Sequence, residues 1–434
     1  MSSNEQIYLA QLKEMKCLEE IQKNMHMSIS NNIKLTKNLV NNEFEICKLN
    51  KKIRKNWRQK VGDLTSSMYK STLWNTNVKD LQNFVYHYSY ETLLGDENPF
   101  SELLGYSIDS MLDKTFLFSS GMSAISNLFY CFSSFLSNNL NIQASVGYFE
   151  TKYFFKILSS MGNDVSLGFN CNKDSNTFYF EPIKYDATLS MTNMESLVKS
   201  INSSKSKIKF IIMDSTMHNK TNIIKGLIKS IDNIDNVVFC DVRSGLKLDQ
   251  EGLELSNLGI CTIFVSKGNI EFFEAIKRYI EQYKNLTGTN LSFHSLALNH
   301  YFEHENKSVE YTKKVKKQIV WAQKVLNERP VSTSSIKNII WRKGKVYDDT
   351  LVAPFIFIEL KTTSEKLYLT NIRKLQNKMI ALGTPIDYRN SWGFRMPSVE
   401  YFNDIFSGKK YIKFYPGIFR GLTAVNAVNS LLSL

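Results

Sequence analysis

Two residues stand where chemistry is done. Asp241 ends the apolar run Val237 to Cys240, and Lys267 follows the run Ile260 to Val265, which closes in Ser266, Lys267 and Gly268. Short apolar runs bounded by turn residues read as buried strands, and polar residues just past strand ends of an α/β sheet are where ligands are handled. A carboxylate and a lysine on neighbouring strand ends, 26 residues apart in sequence, can hold the two reactive ends of one cofactor. These are the ring nitrogen and the aldehyde carbon of pyridoxal 5'-phosphate (PLP). An ordinary surface Asp and Lys at loop mouths would produce the same spacing. Lys247, in Ser-Gly-Leu-Lys just after Asp241, is a second lysine that would take the role if the strand register differs.

Three further stretches supply partners. Ser119, Ser120, Gly121 and Met122 lie between a short apolar run and a helical segment, a turn whose free N–H groups suit a phosphate or an ordinary N-cap. Tyr148 ends another strand, where its ring could stack on a flat cofactor or pack against the sheet edge. The run Ile208 to Met213 ends in Asp214, Ser215, Thr216, His218 and Asn219. His300 and His304 have the i, i+4 spacing of metal ligands, but no third ligand motif accompanies them, and no metal site is expected.

These residues need a scaffold of alternating strands and helices. From residue 115 to 266 the alternation predicts a mainly parallel sheet with helices on both faces. Upstream, Ile7, Leu9, Leu12, Met15, Leu18 and Ile21 are spaced as on a helix. Asn50 to Lys60 is the densest basic stretch and contains Trp57; with one aromatic it reads as a solvated or subunit-contacting arm, and nucleic acid is not the expected partner. The 434 residues carry 54 Lys and Arg against 41 Asp and Glu, a net charge of +13. The lysines are scattered, which points to a solvated basic surface. Six cysteines lack metal-type spacing and read as reduced core thiols. No charged segment precedes an apolar one at the start, and no run of 18 apolar residues occurs, so a cytoplasmic protein without a membrane segment is the expectation.

In order, the motifs resemble those of PLP-dependent enzymes of fold type I, and among them the Cys/Met metabolism family of cystathionine γ-synthase and γ-lyase. Ser120-Gly121-Met122-Ser123-Ala124-Ile125 resembles that family's Ser-Gly-Met-Ala-Ala-Ile; Tyr148 with Thr151 its Tyr-Gly-Gly-Thr; Asp214 to Asn219 its Glu-Ser-Pro-Ser-Asn-Pro. Asp241 falls on the Asp that holds the pyridine nitrogen, Gly252-Leu253-Glu254-Leu255 on Pro-Leu-Glu-Leu, Ser266-Lys267 on Thr-Lys, and Ser391-Trp392-Gly393 on Ser-Leu-Gly. The resemblance implies a seven-stranded, mainly parallel sheet and a smaller C-terminal α/β domain. It divides the chain into an N-terminal helical arm (1–95), a large cofactor domain (96–327) and a small domain (328–434). It also implies a homodimer or homotetramer.

The resemblance assigns roles as well. Lys267 would form the Schiff base and move the α-proton, Asp241 would keep the ring nitrogen protonated, and Ser120, Gly121, Met122 and Ser266 would anchor the phosphate. Tyr148 would stack on the ring and assist proton movement, with His218 or Asn219 at the phenolic oxygen. Departures are plain. Tyr88-Ser89-Tyr90 lacks the family's arginine, and the serine three places before the family lysine is Phe264. The substrate-carboxylate arginine aligns with Lys413, leaving Arg395 or Arg420 as replacements. A specialised lyase or transferase is expected, acting by γ-elimination or γ-replacement on an activated homoserine-like or S-adenosylmethionine-like amino acid. Transamination, decarboxylation, or a catalytically idle interaction protein are the alternatives.

Overall fold

The computed structural model describes residues 3–25, 35–66, 76–79, 85–88, 98–137, 139–299, 304–328 and 335–432. Ser89, Tyr90 and His300 lie outside them, so the readings made there have no structural counterpart. The chain opens with two packed helices, α1 (Ser3–Asn24) and α2 (Leu39–Ser66), followed by a hairpin of β1 (Thr76–Lys79) and β2 (Val85–Tyr88) and a short α3 (Asn98–Leu104).

Seven strands then build the central sheet. They are β3 (Met111–Phe118), β4 (Asn141–Ser145), β5 (Asp164–Leu167), β6 (Thr177–Phe180), β7 (Lys209–Asp214), β8 (Val237–Ser244) and β9 (Gly259–Ser266), in spatial order β3-β9-β8-β7-β6-β4-β5. Parallel neighbours need crossover connections. Here α5 (Phe149–Ser160), α6 (Met194–Ser203) and α7 (Ile223–Ser230) supply them, while α4 (Gly121–Phe135) carries the chain from β3 across the sheet to β4. Both faces are therefore covered, and the middle strands read as unbroken apolar runs: seven of eight residues are buried in β8 and again in β9. β9 is the exception in direction, antiparallel to β3 on one side and to β8 on the other. The expected mainly parallel, seven-stranded α/β architecture is observed.

After α8 (Ile270–Leu286) and α9 (Phe293–Asn299), the long helix α10 (His304–Glu328) leads to the C-terminal part. Its buried Tyr311, Val315, Ile319, Ala322 and Leu326 are spaced three or four apart and face one core. A second, five-stranded sheet follows. β10 (Ile336–Ile340) leads into the hairpin of β11 (Lys343–Val346) and β12 (Asp349–Val352); then come β13 (Ile356–Leu360), helix α11 (Glu365–Ala381), β14 (Asp387–Tyr388), β15 (Ser398–Asn403), β16 (Lys410–Tyr415) and helix α12 (Leu422–Leu431).

The basic stretch of α2 is one face of an amphipathic helix. Ile53, Trp57 and Val61 are buried while Lys51, Lys55 and Arg58 are exposed. The Trp57 indole N–H donates to the Leu298 carbonyl at 3.0 Å, so this ring is core and does not interleave the charges. Helix α1 is held more tightly still. Glu14 accepts two hydrogen bonds from the Arg395 guanidinium at 2.7 and 3.2 Å, and both residues are buried. Removing one member of such a pair strands a charge out of water. Glu14→Ala is expected to cost about 3 kcal/mol, read as a lowered midpoint in urea; an unchanged midpoint would show that Arg395 reaches solvent or another partner without α1.

Candidate functional site

The ends of β7 and β8, together with the turn after β3, open into a cavity of about 340 Å³. Its floor is the start of α4. Ser120 is that helix's N-cap: its backbone is extended and its Oγ accepts from the Ser123 N–H at 3.0 Å, which leaves the other N–H groups of the first turn without intrahelical partners. The turn is packed without slack. A side chain at Gly121 would meet the Ser244 Cβ at 3.2 Å, and one at Gly259 would reach within 2.0 Å of the Ser120 carbonyl oxygen. Glycine at 259 is what lets β9 lie against the turn.

The walls come from neighbouring strand ends. Asp214, the last residue of β7, accepts from the Tyr179 hydroxyl at 3.2 Å and the Thr216 N–H at 2.9 Å. Burial raises its carboxyl above the usual range. Thr216 in turn accepts from the Ser244 N–H at 2.9 Å, tying the end of β8 to the loop after β7. Just past β6, Glu181 is buried and receives the N–H groups of Gly147 at 3.0 Å, Tyr148 at 2.9 Å and Tyr185 at 2.8 Å. Burial brings this carboxyl up to about 7. That clamp positions Tyr148 at the N-cap of α5, where its ring lies 5.7 Å from that of Tyr185 at an interplanar angle of 24°.

Lys247 also lines the cavity, in the turns that follow β8. Its ammonium lies 5.0 Å from the centre of the Trp392 ring, and burial, reinforced by the charge of Lys413, presses its pKa down to about 8. A second cavity, of about 460 Å³, adjoins the first and shares Tyr148, Glu150, Tyr185, Lys247 and Trp392 with it.

The structure separates the pair that the sequence singles out. Because β9 runs against β8, Ser266 pairs with Met111 at the start of β3, whereas Gly259 pairs with Phe118 at its end. Eight residues at ~3.3 Å each put Lys267 about 25 Å from the turn at Ser120, at the opposite edge of the sheet. Lys267 is exposed, and neither it nor Ser266 lines the cavities. Asp241 fails for a different reason. It lies within β8, three residues short of the strand's end, and successive side chains alternate faces. Its neighbours Cys240 and Val242 join the core under α4, while Asp241 turns to the other face, bonded to the Ser215 hydroxyl and, at 2.7 Å, to the Tyr106 hydroxyl. Burial brings its carboxyl up to about 6.

The remaining expected residues divide. Ser120, Gly121, Met122 and Tyr148 line the first cavity. His218 and Asn219 do not: both are buried, neither His218 ring nitrogen has a hydrogen-bond partner among the described residues, and burial holds its imidazole down to about 3. Arg395 is engaged by Glu14, and Arg420 is exposed over the Trp321 ring. Lys413 is buried behind the cavities, donating to the Tyr185 hydroxyl at 2.9 Å and ion-paired with Glu400. Sequence reasoning missed Glu181 and Ser244, and named Thr216 only among the polar residues past the end of β7. One signal for Ser244 was present: the resembled family has a serine three places before its lysine, which Phe264 cannot match for Lys267 but Ser244 matches for Lys247.

No family model matches the chain, and no curated protein matches it. Among solved structures it is similar to the apo form of a methionine γ-lyase from Micromonospora echinospora, at 14% identity and a TM-score of 0.54 over 83% of this chain and 92% of that one. An alanine aminotransferase from Pyrococcus furiosus follows, at 11% identity and 0.48 over 87% of each chain, with an archaeal O-phosphoseryl-tRNA(Sec) selenium transferase at 15% and 0.47 over 97% and 96%. The last two scores are too low to carry an argument. The first establishes the fold as fold type I of the PLP-dependent enzymes. Membership in the Cys/Met metabolism family does not follow from it.

The lowered pKa has a direct consequence. Burial disfavours the ammonium, so the neutral, nucleophilic amine of Lys247 appears as pH rises through about 8, well below the ordinary lysine value of ~10.4. Acetic anhydride labelling followed peptide by peptide by mass spectrometry is expected to give Lys247 a midpoint near pH 8; a midpoint above pH 10 would contradict the assignment.

Proposed function

We propose that the chain is a PLP-dependent lyase or transferase acting on a primary amine, with Lys247 as the lysine that bonds the cofactor. The observation that carries this reading is the convergence in one cavity of Lys247, the Asp214 carboxylate and the N-terminal turn of α4. The donor set fits the cofactor's parts. Ser120, the free N–H groups at Gly121 and Met122, and Ser244 are neutral donors gathered at a helix N-terminus, which suits a phosphate. The absence of a side chain at Gly121, close against Ser244, leaves the room an anion would take. Asp214 is the carboxylate for the ring nitrogen, with Thr216 and Tyr148 as candidates for the two ring faces.

PLP supplies an electron sink for the carbanion formed beside the substrate's amine. The residues supply the rest. Asp214, oriented by Tyr179 and the Thr216 N–H, would keep a proton on the ring nitrogen. Lys247, with a pKa of about 8, is poised near neutral pH to take a proton from the amine-bearing carbon and return it. Glu181 fixes the loop that carries Tyr148, so its ring is placed before substrate arrives. Within this chemistry, γ-elimination or γ-replacement at a substrate with a cationic leaving end, such as a sulfonium, is the finer reading. A homoserine-like or S-adenosylmethionine-like α-amino acid is less well supported, since the described cations that line the cavities are Lys247, assigned to the cofactor, and Arg243, ion-paired with Asp249.

The test is the absorbance of purified protein with added PLP. A band near ~420 nm, the expectation for lysine-bound PLP, should form in wild type and in Lys267→Ala and be lost in Lys247→Ala, and borohydride reduction should fix the cofactor's mass on the peptide containing Lys247. A band lost only in Lys267→Ala would reverse the assignment, and no band in wild type would favour an idle relative used for interaction.

A further inference from the structure

Of the described cations that the resemblance offers to a substrate carboxylate, Arg395 and Lys413 are engaged by carboxylates, and Arg420 lies over the Trp321 ring outside both cavities. Arg395 is closed off by Glu14 and Glu251 and buried. Lys413 stands where the resemblance puts a carboxylate-binding arginine, and Glu400 is already its partner: the protein carries its own carboxylate at that place. Arg243, which contributes to the first cavity's lining, is ion-paired with Asp249 and donates to the Leu104 carbonyl through Nη2, while its buried Nη1 has no partner among the described residues. Among the described residues the two cavities present five carboxylates, Glu150, Glu181, Asp214, Glu400 and Asp404, against Arg243 and Lys247. Ring faces complete the second cavity, with Tyr148, Tyr185 and Trp392 shared from the first and Tyr401 and Phe402 on the far wall.

Carboxylates beside aromatic faces select cations, because the ring quadrupole and the charge attract the same sign. Glu150 is the exposed carboxylate of the set and borders both cavities, so it can follow a ligand from one to the other. From these contacts we infer that the substrate is a primary amine with a second cationic group at its far end and no carboxylate beside the reacting amine. Its amine meets Lys247 in the first cavity, and its cationic tail sits in the second, between Glu150 and the Tyr148 ring, since the Trp392 and Tyr185 rings already face the ammonium groups of Lys247 and Lys413. Glu400 occupies Lys413, so an α-amino acid finds its carboxylate's place taken. This rests on the cofactor reading above and narrows its substrate.

The test uses PLP-loaded protein and four probes: 1,5-diaminopentane, pentylamine, 6-aminohexanoate and L-norleucine. PLP uptake is read first, from the visible band and its fixation by borohydride. A protein that takes up no PLP sinks the cofactor reading and this inference with it. With PLP bound, titration calorimetry and the shift of the visible band are expected to give 1,5-diaminopentane an affinity at least about tenfold above the other three. Glu150→Gln, at an exposed position, should erase the margin over pentylamine while PLP occupancy stays unchanged. Glu400→Gln, by releasing Lys413, should raise the affinity for L-norleucine. Wild-type protein that binds L-norleucine or 6-aminohexanoate as tightly as the diamine, or a Glu150→Gln variant that keeps the full preference, overturns the inference while leaving the cofactor reading intact.

Discussion

The direction of β9 is the constraint on which the site depends. It enters the sheet between β3 and β8 and runs against both, so β3, β8, β7, β6 and β4 all end at one edge while β9 begins there. That arrangement brings the cap of α4, the carboxylate of β7 and the turn after β8 to a common opening. It also presses Gly259 against the Ser120 carbonyl, so the start of β9 sets the height of the helix turn. A parallel β9 would put Lys267 at the opening and leave no strand beginning beneath that turn.

Charge is handled differently on the two faces of the sheet. Around the opening, Asp214, Glu181 and Lys247 all have their charged forms disfavoured by burial, which brings Glu181 to about 7 and Lys247 to about 8. On the other face Asp241 is enclosed by the Ser215 and Tyr106 hydroxyls, and Arg243 is paired with Asp249. Asp241 accepts from both hydroxyls, and Arg243 bonds Asp249 and the Leu104 carbonyl, with its Nη1 left without a partner among the described residues; these contacts hold α3 and the loop after β7 to the sheet. Groups poised in a cleft are candidates for chemistry, whereas groups closed into pairs fix the frame.

Much of this was legible in the residues. Apolar runs at 115–118, 208–213, 237–240 and 260–265 each became a strand, and the alternation with helices foretold the sheet. Ser120, Gly121, Met122 and Tyr148 reached the cavity because a turn at a helix start is a local feature. That Asp214 and Lys247 reach the opening while Asp241 and Lys267 do not was not legible, since β8 and β9 are equally apolar and buried on both faces, and such strands carry no alternation that reports direction. The choice between Asp214 and Asp241 turned on which strand lay next to which, and on a parity that slips with one residue. Only the serine three places before Lys247 pointed the other way within the sequence. His218 shows the same limit: a strand end full of polar residues does not say which side chain faces the opening and which is sealed below it.

The contact between Glu14 and Arg395 joins residues 381 positions apart, and Glu43 meets Thr423 across 380. At the ~5–20 residues per second of synthesis, the chain waits about 20 to 80 s between making the first helix and making the residues that hold it. Until Leu104 and Leu117, and then the core residues from Leu253 to Leu298, have been made, the apolar face of α1, with Met15, Leu18 and Ile21, has its local companion α2 for cover. The first helices made are therefore among the last to be secured, and during synthesis this helical pair is the part of the chain with most need of a chaperone.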